Sequence, residues 1–331
     1  MFFSVILPTR DRPQLFAAAF QSACRQDFGD FEILVVDDGS TPEAAAQIRA
    51  LVDKHPRAYL LRQPRRPQGH GQSYSMNTAA LEAAGDYLAF LDDDDEWTDP
   101  SHLTQTAAEL EQAEHEVDAY YTNQAAFYSD GRRKPGRVWL EDLIPRYTDT
   151  SPEEPGPARP AFLTPEELLC SGGFAHLNCS ILRRPFYLKL GGMDEGIRYE
   201  CDRDLYLRTL DQAEHLLYSP RWIARHNIPD PKRADNMSTV ISALQKAQYQ
   251  MIVYQKGLMT AQRPSVREAC RLGLGYVYKR AAELLHTTGQ RQQAYRYACQ
   301  GLALHGNLRW AAYTAYLAAC RILPTQTTTS P

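Results

Sequence analysis

Apolar runs alternate with helical patterns over the first 130 residues. Residues 2–7, 31–36 and 87–91 are largely apolar, as expected for parallel strands that are buried on both faces. Further segments continue the alternation: a strand at 59–61, helices at 73–84 and 100–114, and a strand at 118–128. The alternation predicts an α/β fold in which a doubly wound, mostly parallel sheet is flanked by helices.

The first two helices carry start signals. Pro13 suits the first turn of a helix, and Phe16 and Phe20 then fall on one helical face. Before the second helix, Ser40 and Glu43 have the spacing of a capping box, in which the serine hydroxyl accepts a hydrogen bond from the backbone three residues on. We therefore expect one helix from about Pro13 and another that Ser40 caps.

Residues 129–165 break the pattern. Six prolines lie between Pro145 and Pro165, and no periodicity is sustained. A segment of this length without regular structure is typical of a functional flap or of disorder. We predict a flexible flap beside the ligand site.

Beyond residue 236 only helical patterns remain. After a helix at 238–257, apolar positions recur at helical spacing in three further stretches. The stripes are Val266, Cys270, Leu274, Val277, Ala281 and Leu284; Ala294, Ala298 and Leu302; and Leu308, Ala312, Ala315 and Ala319. They predict antiparallel hairpins in an all-helical C-terminal region. We expect domains at 1–235 and 236–324 and a disordered tail at 325–331.

Composition narrows the class of protein. The 331 residues carry a net charge of −4, and 44% are hydrophobic and 23% charged, which is ordinary for a globular protein. No nucleic-acid partner is expected, because the chain has no basic stripe. No run approaches the ~18 apolar residues of a membrane-spanning helix, and the N-terminus lacks the basic start of a signal peptide.

The cysteines indicate a reducing compartment. All seven are scattered, and none has CxxC spacing. That arrangement argues against a disulfide framework or a zinc site. We expect the protein in the cytoplasm, either free or peripheral at the inner face of the membrane.

The most informative segment is the acidic run Asp92–Asp95, which directly follows the apolar residues Tyr87–Leu91. A strand that ends in carboxylates places them at the edge where open α/β sheets bind ligands. Crowded carboxylates repel one another, and a divalent cation with oxygen ligands relieves that repulsion. The alternative is a solvated acidic turn, which the buried strand before the run disfavours.

Two further acidic clusters are expected at the same edge. Asp37 and Asp38 follow the second strand, where a carboxylate can accept hydrogen bonds from a ribose or a base. The third cluster consists of Glu200, Asp202 and Asp204, which could supply a general base.

In this order the elements resemble the family 2 glycosyltransferases of the GT-A, Rossmann-like fold. The resemblance extends from about Ser4 to His226. The segments that carry it are Val5–Arg10, Val35–Ser40, Gly71 with Asn77, Phe90–Asp95 and the stretch around Asp202. It implies an enzyme that transfers a sugar from a nucleotide diphosphate donor, usually with inversion at the anomeric carbon.

The resemblance also assigns roles to residues of the matched motifs. It implies that Thr9 and Asp38 hold the base and ribose, and that Asp92-Asp93-Asp94 is the DxD motif. Asp94 is then the expected direct ligand of Mn²⁺ or Mg²⁺, with Asp92 and Asp93 near the ribose or the metal and its waters. The other matched positions expected in nucleotide-sugar binding are Pro8, Arg10, Gly71 and Asn77.

Asp202 is the predicted general base. The family has a glutamate before this aspartate, but here Cys201 takes that position and Glu200 is displaced by one residue. A helical residue one position earlier points about 100° away. We therefore expect Asp202 to deprotonate the acceptor hydroxyl, with Glu200 as a supporting or alternative carboxylate. Otherwise these acids only stabilise a helix N-terminus.

His226 is a candidate third contact to the metal or diphosphate, because similar enzymes close a histidine over the metal beyond the base helix. A lone histidine is more often an ordinary core or surface residue. Four side chains flank the donor side and are candidates for contacts to phosphate or base: Arg65, Arg66, His70 and Gln72.

The combined expectation is a metal-dependent inverting transferase that uses a UDP-sugar in preference to GDP or dTDP donors. The acceptor is expected to be a glycan or a lipid-linked saccharide of polysaccharide biosynthesis, and the flap and the helical region are expected on its side. For the helices, stabilisation or homo-oligomer formation is favoured over peripheral membrane contact.

Two rival functions are weighed against this one. A nucleotidyltransferase needs a glycine-rich phosphate loop after the first strand, and residues 8–13 contain no glycine. A catalytically degenerate sugar-nucleotide-binding protein is left open by the cysteine at position 201.

Overall fold

The computed structural model describes residues 1–147, 159–229, 232 and 237–322. The chain divides into two compact units, Met1–Arg233 and Ala234–Pro331. The tail predicted at 325–331 lies outside the described residues, as do residues 148–158 of the predicted flap.

The strands of the described chain all lie in the first unit. They are β1 (Phe3–Thr9), β2 (Phe31–Asp37), β3 (Ala58–Arg62), β4 (Tyr87–Phe90), β5 (Glu96–Trp97), β6 (Ala119–Phe127), β7 (Ala161–Leu163), β8 (Ser180–Arg183) and β9 (Leu216–Asn227).

The helices are spread over both units. Those of the first unit are α1 (Pro13–Cys24), α2 (Pro42–Val52), α3 (Gln72–Glu82), α4 (His102–Glu111), α5 (Ile144–Tyr147), α6 (Pro165–Leu169), α7 (Arg184–Lys189) and α8 (Cys201–Gln212). Those of the second unit are α9 (Met237–Val240), α10 (Ala243–Thr260), α11 (Pro264–Thr287), α12 (Arg291–Leu304) and α13 (Leu308–Ile322).

One mixed sheet organises the first unit. Its strand order is β3-β2-β1-β4-β8-β6-β9-β5, and β7 pairs with β9. Strands β1 to β4 are parallel, whereas β8 runs antiparallel to both β4 and β6. The α/β class is confirmed. The second half of the sheet is less parallel than the sequence pattern suggests, because β8 enters the sheet from the opposite end, after the short elements β7 and α6.

The parallel strands bring their carboxyl ends to one edge. Every residue of β1 and β2 is buried, as the continuous apolar runs predict. Thr9 is in register with Asp37, and Ile6 with Phe90. The loops after β1, β2 and β4 therefore meet, which places the acidic run beside Thr9 and Asp38.

The start of α2 differs from the sequence prediction by one residue. The N-cap is Thr41, whose hydroxyl accepts a hydrogen bond from the Ala44 backbone at 3.3 Å. Ser40 instead accepts a bond from the Asp11 backbone at 2.9 Å. The capping box at Ser40 is therefore wrong, because this hydroxyl is used to join two loops at the sheet edge.

The second unit is built from helices that pack on their sequence neighbours, α10 on α11, α11 on α12 and α12 on α13. Its core confirms part of the predicted stripes: Val266, Cys270, Leu274, Val277, Ala281, Ala294 and Ala298 are buried. The stripe on α13 is wrong, since Leu308 is 91% exposed and Trp310 and Leu317 are buried in its place. Among the described residues, no helix combines the length and apolar character needed to cross a membrane.

Candidate active site

Asp93 is held by β1 and by the loop after it. The Thr9 hydroxyl donates to Asp93 Oδ2 at 2.7 Å, and the Arg12 guanidinium bonds to Asp93 Oδ1. Arg12 also donates to Asp94 Oδ2 at 3.2 Å. Burial raises the pKa of Asp93, and the charge of Arg12 opposes that rise. Asp93, which is 2% exposed, thus fastens the acidic run to the end of β1.

Asp95 is held from the other side. It accepts hydrogen bonds from Asn178 Nδ2 at 2.6 Å, from His226 Nδ1 at 2.8 Å and from the Asn227 backbone at 2.8 Å. Burial opposes its ionisation, but the neighbouring His226 charge brings the pKa of Asp95 below its ordinary value. Burial likewise opposes the charge on His226, yet Asp95 raises the pKa of His226 to about 9. The two groups form an ion pair in which Asp95 is buried and His226 is partly exposed.

In the acidic run, burial and repulsion disfavour the ionised forms of Asp92 and Asp94. Burial, then repulsion by Asp95 and Asp94, raises the pKa of Asp92 well above its ordinary value. Burial and Asp95 likewise raise the pKa of Asp94 to about 7, with Arg12 partly opposing the shift. Gln72 Nε2 donates to Asp92 Oδ1 at 2.5 Å. A cation bound between these carboxylates would favour their ionised forms and so lower both pKa values.

Within the part of the chain that the structure describes, two overlapping groups of ligand atoms could hold a metal ion. One is Asp92, Asp94 and Asp95, and the other is Asp95 with His176 and His226; within each group the ligand atoms lie within 4.8 Å of one another. Carboxylate oxygens suit Mg²⁺ or Mn²⁺, and imidazole nitrogens suit transition metals. The crowded, buried carboxylates therefore fit the divalent cation that the sequence predicts. Of the predicted ligands, the structure brings Asp92, Asp94 and His226 to one place.

The two histidines are packed under an aromatic ring. Trp139 is buried, and its ring centroid lies 5.6 Å from that of His176 and 5.2 Å from that of His226. Burial lowers the pKa of His176 to about 3, with the charge on His226 acting in the same direction. His176 is thus neutral, which is the form that can bind a metal.

Asp38 organises the donor side by binding a loop. Its Oδ1 accepts hydrogen bonds from the His70 backbone at 2.7 Å and contacts His70 Nδ1 at 2.8 Å, while its Oδ2 accepts from the Gly71 backbone at 2.9 Å. Both carboxylate oxygens are therefore engaged by residues 70 and 71. The structure places Asp38 at the predicted edge, but as an anchor of this loop.

Two arginines close over the same loop. Arg10 donates to the Arg66 carbonyl at 2.8 Å, and Arg198 donates to the Gln68 carbonyl at 3.2 Å. Gly71 has a φ of 104°, and a Cβ at this position would lie 2.8 Å from Arg198 Nη1. The glycine is therefore required both by its left-handed backbone and by the close approach of the guanidinium. Pro8 lies within β1, in register with Val36.

Asn77 supports a second loop. Its Oδ1 accepts from the Tyr187 hydroxyl and the Met193 backbone, both at 2.8 Å, and its Nδ2 donates to the Met193 carbonyl and to Glu195, both at 2.9 Å. The structure thus places Asn77 as the link between α3 and the loop before α8.

The first turn of α8 carries the candidate base. Burial raises the pKa of Asp202 to about 6, with Glu200 repulsion adding to it and Arg203 opposing it. Glu200 precedes the helix with a φ of 66° and pairs with Arg203. Asp202 also adds to the charge felt by Asp92. The structure therefore brings Asp202 near the acidic run and gives Glu200 a cationic partner.

Cys201 contacts the donor side instead of matching the glutamate of the family. The thiol is buried, and its Sγ lies 3.8 Å from Gln72 Oε1. Burial raises the pKa of this thiol, so that it stays neutral. Gln72 thereby joins the start of α8 to Asp92.

Sequence reasoning missed three residues of this site. Arg12 stands three residues after Thr9 and could have been found as the cation of the post-strand loop. His176 and Asn178 follow the irregular segment, and no local pattern marks either of them. Only the pairing of β8 with β4 brings them to the acidic run.

A cavity of about 380 Å³ lies elsewhere in the first unit. It is lined by His115, Asp118, Arg183 and His215, among others. Arg183 is in register with Tyr87, the first residue of β4, so the cavity is at the opposite end of that strand from Asp92. None of the predicted site residues lines it.

The sequence matches the profile of glycosyl transferase family 2 over residues 4–186, which is more than half of the chain. A curated relative in Campylobacter jejuni, a GalNAc(5)-diNAcBac-PP-undecaprenol beta-1,3-glucosyltransferase, is 37% identical over 94 residues, or 28% of this chain and 29% of that protein. Two further curated glycosyltransferases are matched over 47% and 64% of their length. The chain thus spans less than two thirds of each of these relatives.

Solved structures share the fold at low sequence identity. Staphylococcus aureus TarS 1–349 in complex with UDP-GlcNAc superposes with a TM-score of 0.66 at 18% identity, covering 96% of this chain and 88% of that one. The mannosyltransferase PcManGT from Pyrobaculum calidifontis, in complex with GDP-Man and Mn²⁺, gives a TM-score of 0.60 at 19% identity, covering 97% and 80%.

Proposed function

Because the chain belongs to glycosyl transferase family 2, we propose that it transfers a sugar from a nucleotide diphosphate donor to a hydroxyl of a glycan or lipid-linked acceptor, with inversion. The observation that carries the proposal is the grouping of Asp92 with Asp94, together with Asp202, whose charge acts on Asp92. Two crowded carboxylates and a separate base candidate suit this reaction at the sheet edge where α/β folds bind ligands. UDP-sugars are favoured as donors, and the TarS complex with UDP-GlcNAc supports that choice.

The proposed reaction is an in-line displacement. Asp202 removes the acceptor proton as the hydroxyl attacks the anomeric carbon, and the nucleoside diphosphate leaves from the opposite face. Asp92, Asp94 and Asp95 would hold Mn²⁺ or Mg²⁺, and His226, which is protonated beside Asp95, would contact the diphosphate. The bound cation would supply positive charge to the departing diphosphate. Asp38 contributes by holding the loop at residues 69–71 in place beside the donor.

The Campylobacter relative is named for an acceptor on PP-undecaprenol. By analogy we propose a lipid-linked acceptor and peripheral contact with the inner face of a membrane. The strongest rival is a binding protein without turnover. Release of nucleoside diphosphate from a UDP-sugar in the presence of Mn²⁺ separates the two, since a pure binding module leaves the donor intact.

A thermal-shift screen tests the donor site. The protein is heated with UDP, GDP, dTDP or CMP, each with and without Mn²⁺. A ligand that binds the native state raises the free energy of unfolding by about 2.7 kcal/mol at a hundredfold excess over Kd. We expect one nucleotide to raise the melting temperature only when metal is present.

Asp94→Ala should abolish that shift, because it removes a carboxylate ligand of the proposed metal site. Asp130→Ala is the matched control, since Asp130 is an exposed aspartate that bonds to Arg132 in a surface turn. The absence of a shift with every nucleotide would refute the donor site.

A further inference from the structure

Helix α13 exposes the face that its sequence pattern predicts to be buried. Leu308 is 91% exposed and Tyr316 is 51% exposed. At about 100° per residue, five exposed apolar residues share one side of the helix, opposite Trp310 and Leu317. They form the α13 stripe: Leu308, Ala312, Ala315, Tyr316 and Ala319.

A row of apolar side chains on an exposed helix face is unusual. Such patches mark surfaces that contact another protein or a membrane. Here α13 packs on α12, and the opposite side presents a leucine and a tyrosine. The stripe is therefore suited to contact something outside the described chain.

Net charge indicates the class of partner that would contact the stripe. Residues 234–331 contain 11 lysines and arginines against 3 aspartates and glutamates, a net charge of +8. The other residues carry −12, since the whole chain carries −4. Residues 308–322 contain no acidic residue. Arg309 borders the stripe next to Tyr316 at helical spacing, whereas Arg321 lies over the Tyr295 ring of α12. The partner should be anionic.

We propose that the α13 stripe docks on an anionic membrane surface. The apolar side chains enter the boundary between headgroups and acyl chains, while the basic residues of the unit meet lipid phosphates. A second copy of this chain is a poorer partner, because pairing two α13 helices brings two units of +8 together. This inference rests on the proposed function, which includes peripheral membrane contact, and it identifies the α13 stripe as the surface that makes the contact.

Vesicle flotation of the full-length protein tests this surface. We expect binding to vesicles that contain phosphatidylglycerol, little binding to phosphatidylcholine alone, and weaker binding at about 0.5 M salt, where charges are screened. The double variant Leu308→Glu with Tyr316→Glu should partition about tenfold less well. Leu81→Glu is the matched control, because Leu81 is a 65% exposed leucine on α3.

Equal binding by the double variant, or no binding by the unchanged protein, would overturn the proposal. So would a dimer in light scattering that the double variant dissociates, since a second copy would then cover the stripe. The nucleotide thermal shift is measured on the same variant. If that shift is kept while vesicle binding is lost, the docking surface is separated from the donor site.

Discussion

Alternate carboxylates of the run Asp92–Asp95 differ in exposure. Asp93 and Asp95 are buried and pair with Arg12 and His226, whereas Asp92 and Asp94 are partly exposed, and burial and repulsion raise the pKa of each. Alternate residues therefore serve different purposes: Asp93 and Asp95 hold the segment in place, and Asp92 and Asp94 are poised for a cation. This division accounts for four aspartates where two would satisfy the motif.

The assignment of the base predicts a specific kinetic effect. Asp202→Asn should lower kcat by about 10²–10⁴-fold and leave the nucleotide affinity unchanged, because the amide cannot accept the proton. Since burial raises the pKa of Asp202 to about 6, kcat/KM should rise with pH through about 6 and level off above about pH 7. Steady-state rates between pH 5 and 8 check this.

Glu200→Gln is the control for the base. Glu200 pairs with Arg203, so its loss should affect the rate less than the loss of Asp202. A more severe defect in Glu200→Gln than in Asp202→Asn would move the base to Glu200.

The ion pair of Asp95 and His226 predicts a pH-dependent stability. The pKa of His226 is raised to about 9 in the folded protein, so its contribution is complete below the ordinary value near 6.5 and is lost as the pH rises through about 9. His226→Gln should therefore lower the free energy of unfolding by at most about 3 kcal/mol at pH 6. Urea denaturation in EDTA at pH 6 and pH 10 measures the difference, and an equal loss at both would exclude the ion pair.

At the scale of elements, helix α3 connects the donor side to the base. Its first residue, Gln72, contacts Asp92 and Cys201, and Asn77 binds the loop at 193–195. The loop clamped by Arg10 and Arg198 leads directly into the same helix. A displacement of α3 would therefore move both the loop at residues 69–71 and the segment before Asp202.

A substitution at Asn77 tests whether α3 holds the loop before α8. Asn77→Ala removes four hydrogen bonds and should lower the free energy of unfolding by about 2–3 kcal/mol. Because the amide is engaged by the protein, the affinity for nucleotide should change little. Urea denaturation and nucleotide titration together check this.

Gln292→Ala is the control, because Gln292 is an exposed amide on α12. Its free energy of unfolding should stay within about 0.5 kcal/mol of that of the unchanged protein. Lost nucleotide affinity without lost stability would make Asn77 a ligand.

At the scale of the molecule, metal binding should be linked to folding and to pH. A cation binds ionised carboxylates, and the pKa of Asp94 is raised to about 7. The Mn²⁺ affinity should therefore increase about fivefold between pH 6 and pH 7, about twofold more by pH 8, and then level off. Calorimetric titration at pH 6, 7 and 8 measures it. A flat profile would exclude Asp94 as a ligand, and Asp94→Asn should flatten the profile.

The local sequence pattern was sufficient to predict much of the fold and part of the site. The apolar runs at 2–7, 31–36 and 87–91 predict strands whose carboxyl ends share an edge, since strand periodicity and the direction of parallel strands are local properties. The acidic run, Asp38 and the position of Asp202 on a helix follow from the same reasoning. So do the buried stripes of α11 and α12.

Tertiary structure alone decided which side chain meets which. Thr9 contacts Asp93 across 84 residues of sequence, and His226 contacts Asp95 across 131, so no local pattern could divide the four aspartates. His176 and Asn178 reach the site only because β8 pairs with β4. Tertiary packing also decided which face of α13 is buried. This helix has apolar residues on two faces, and it buries the face that α12 covers. That face carries Trp310, which has more apolar area to bury than an alanine.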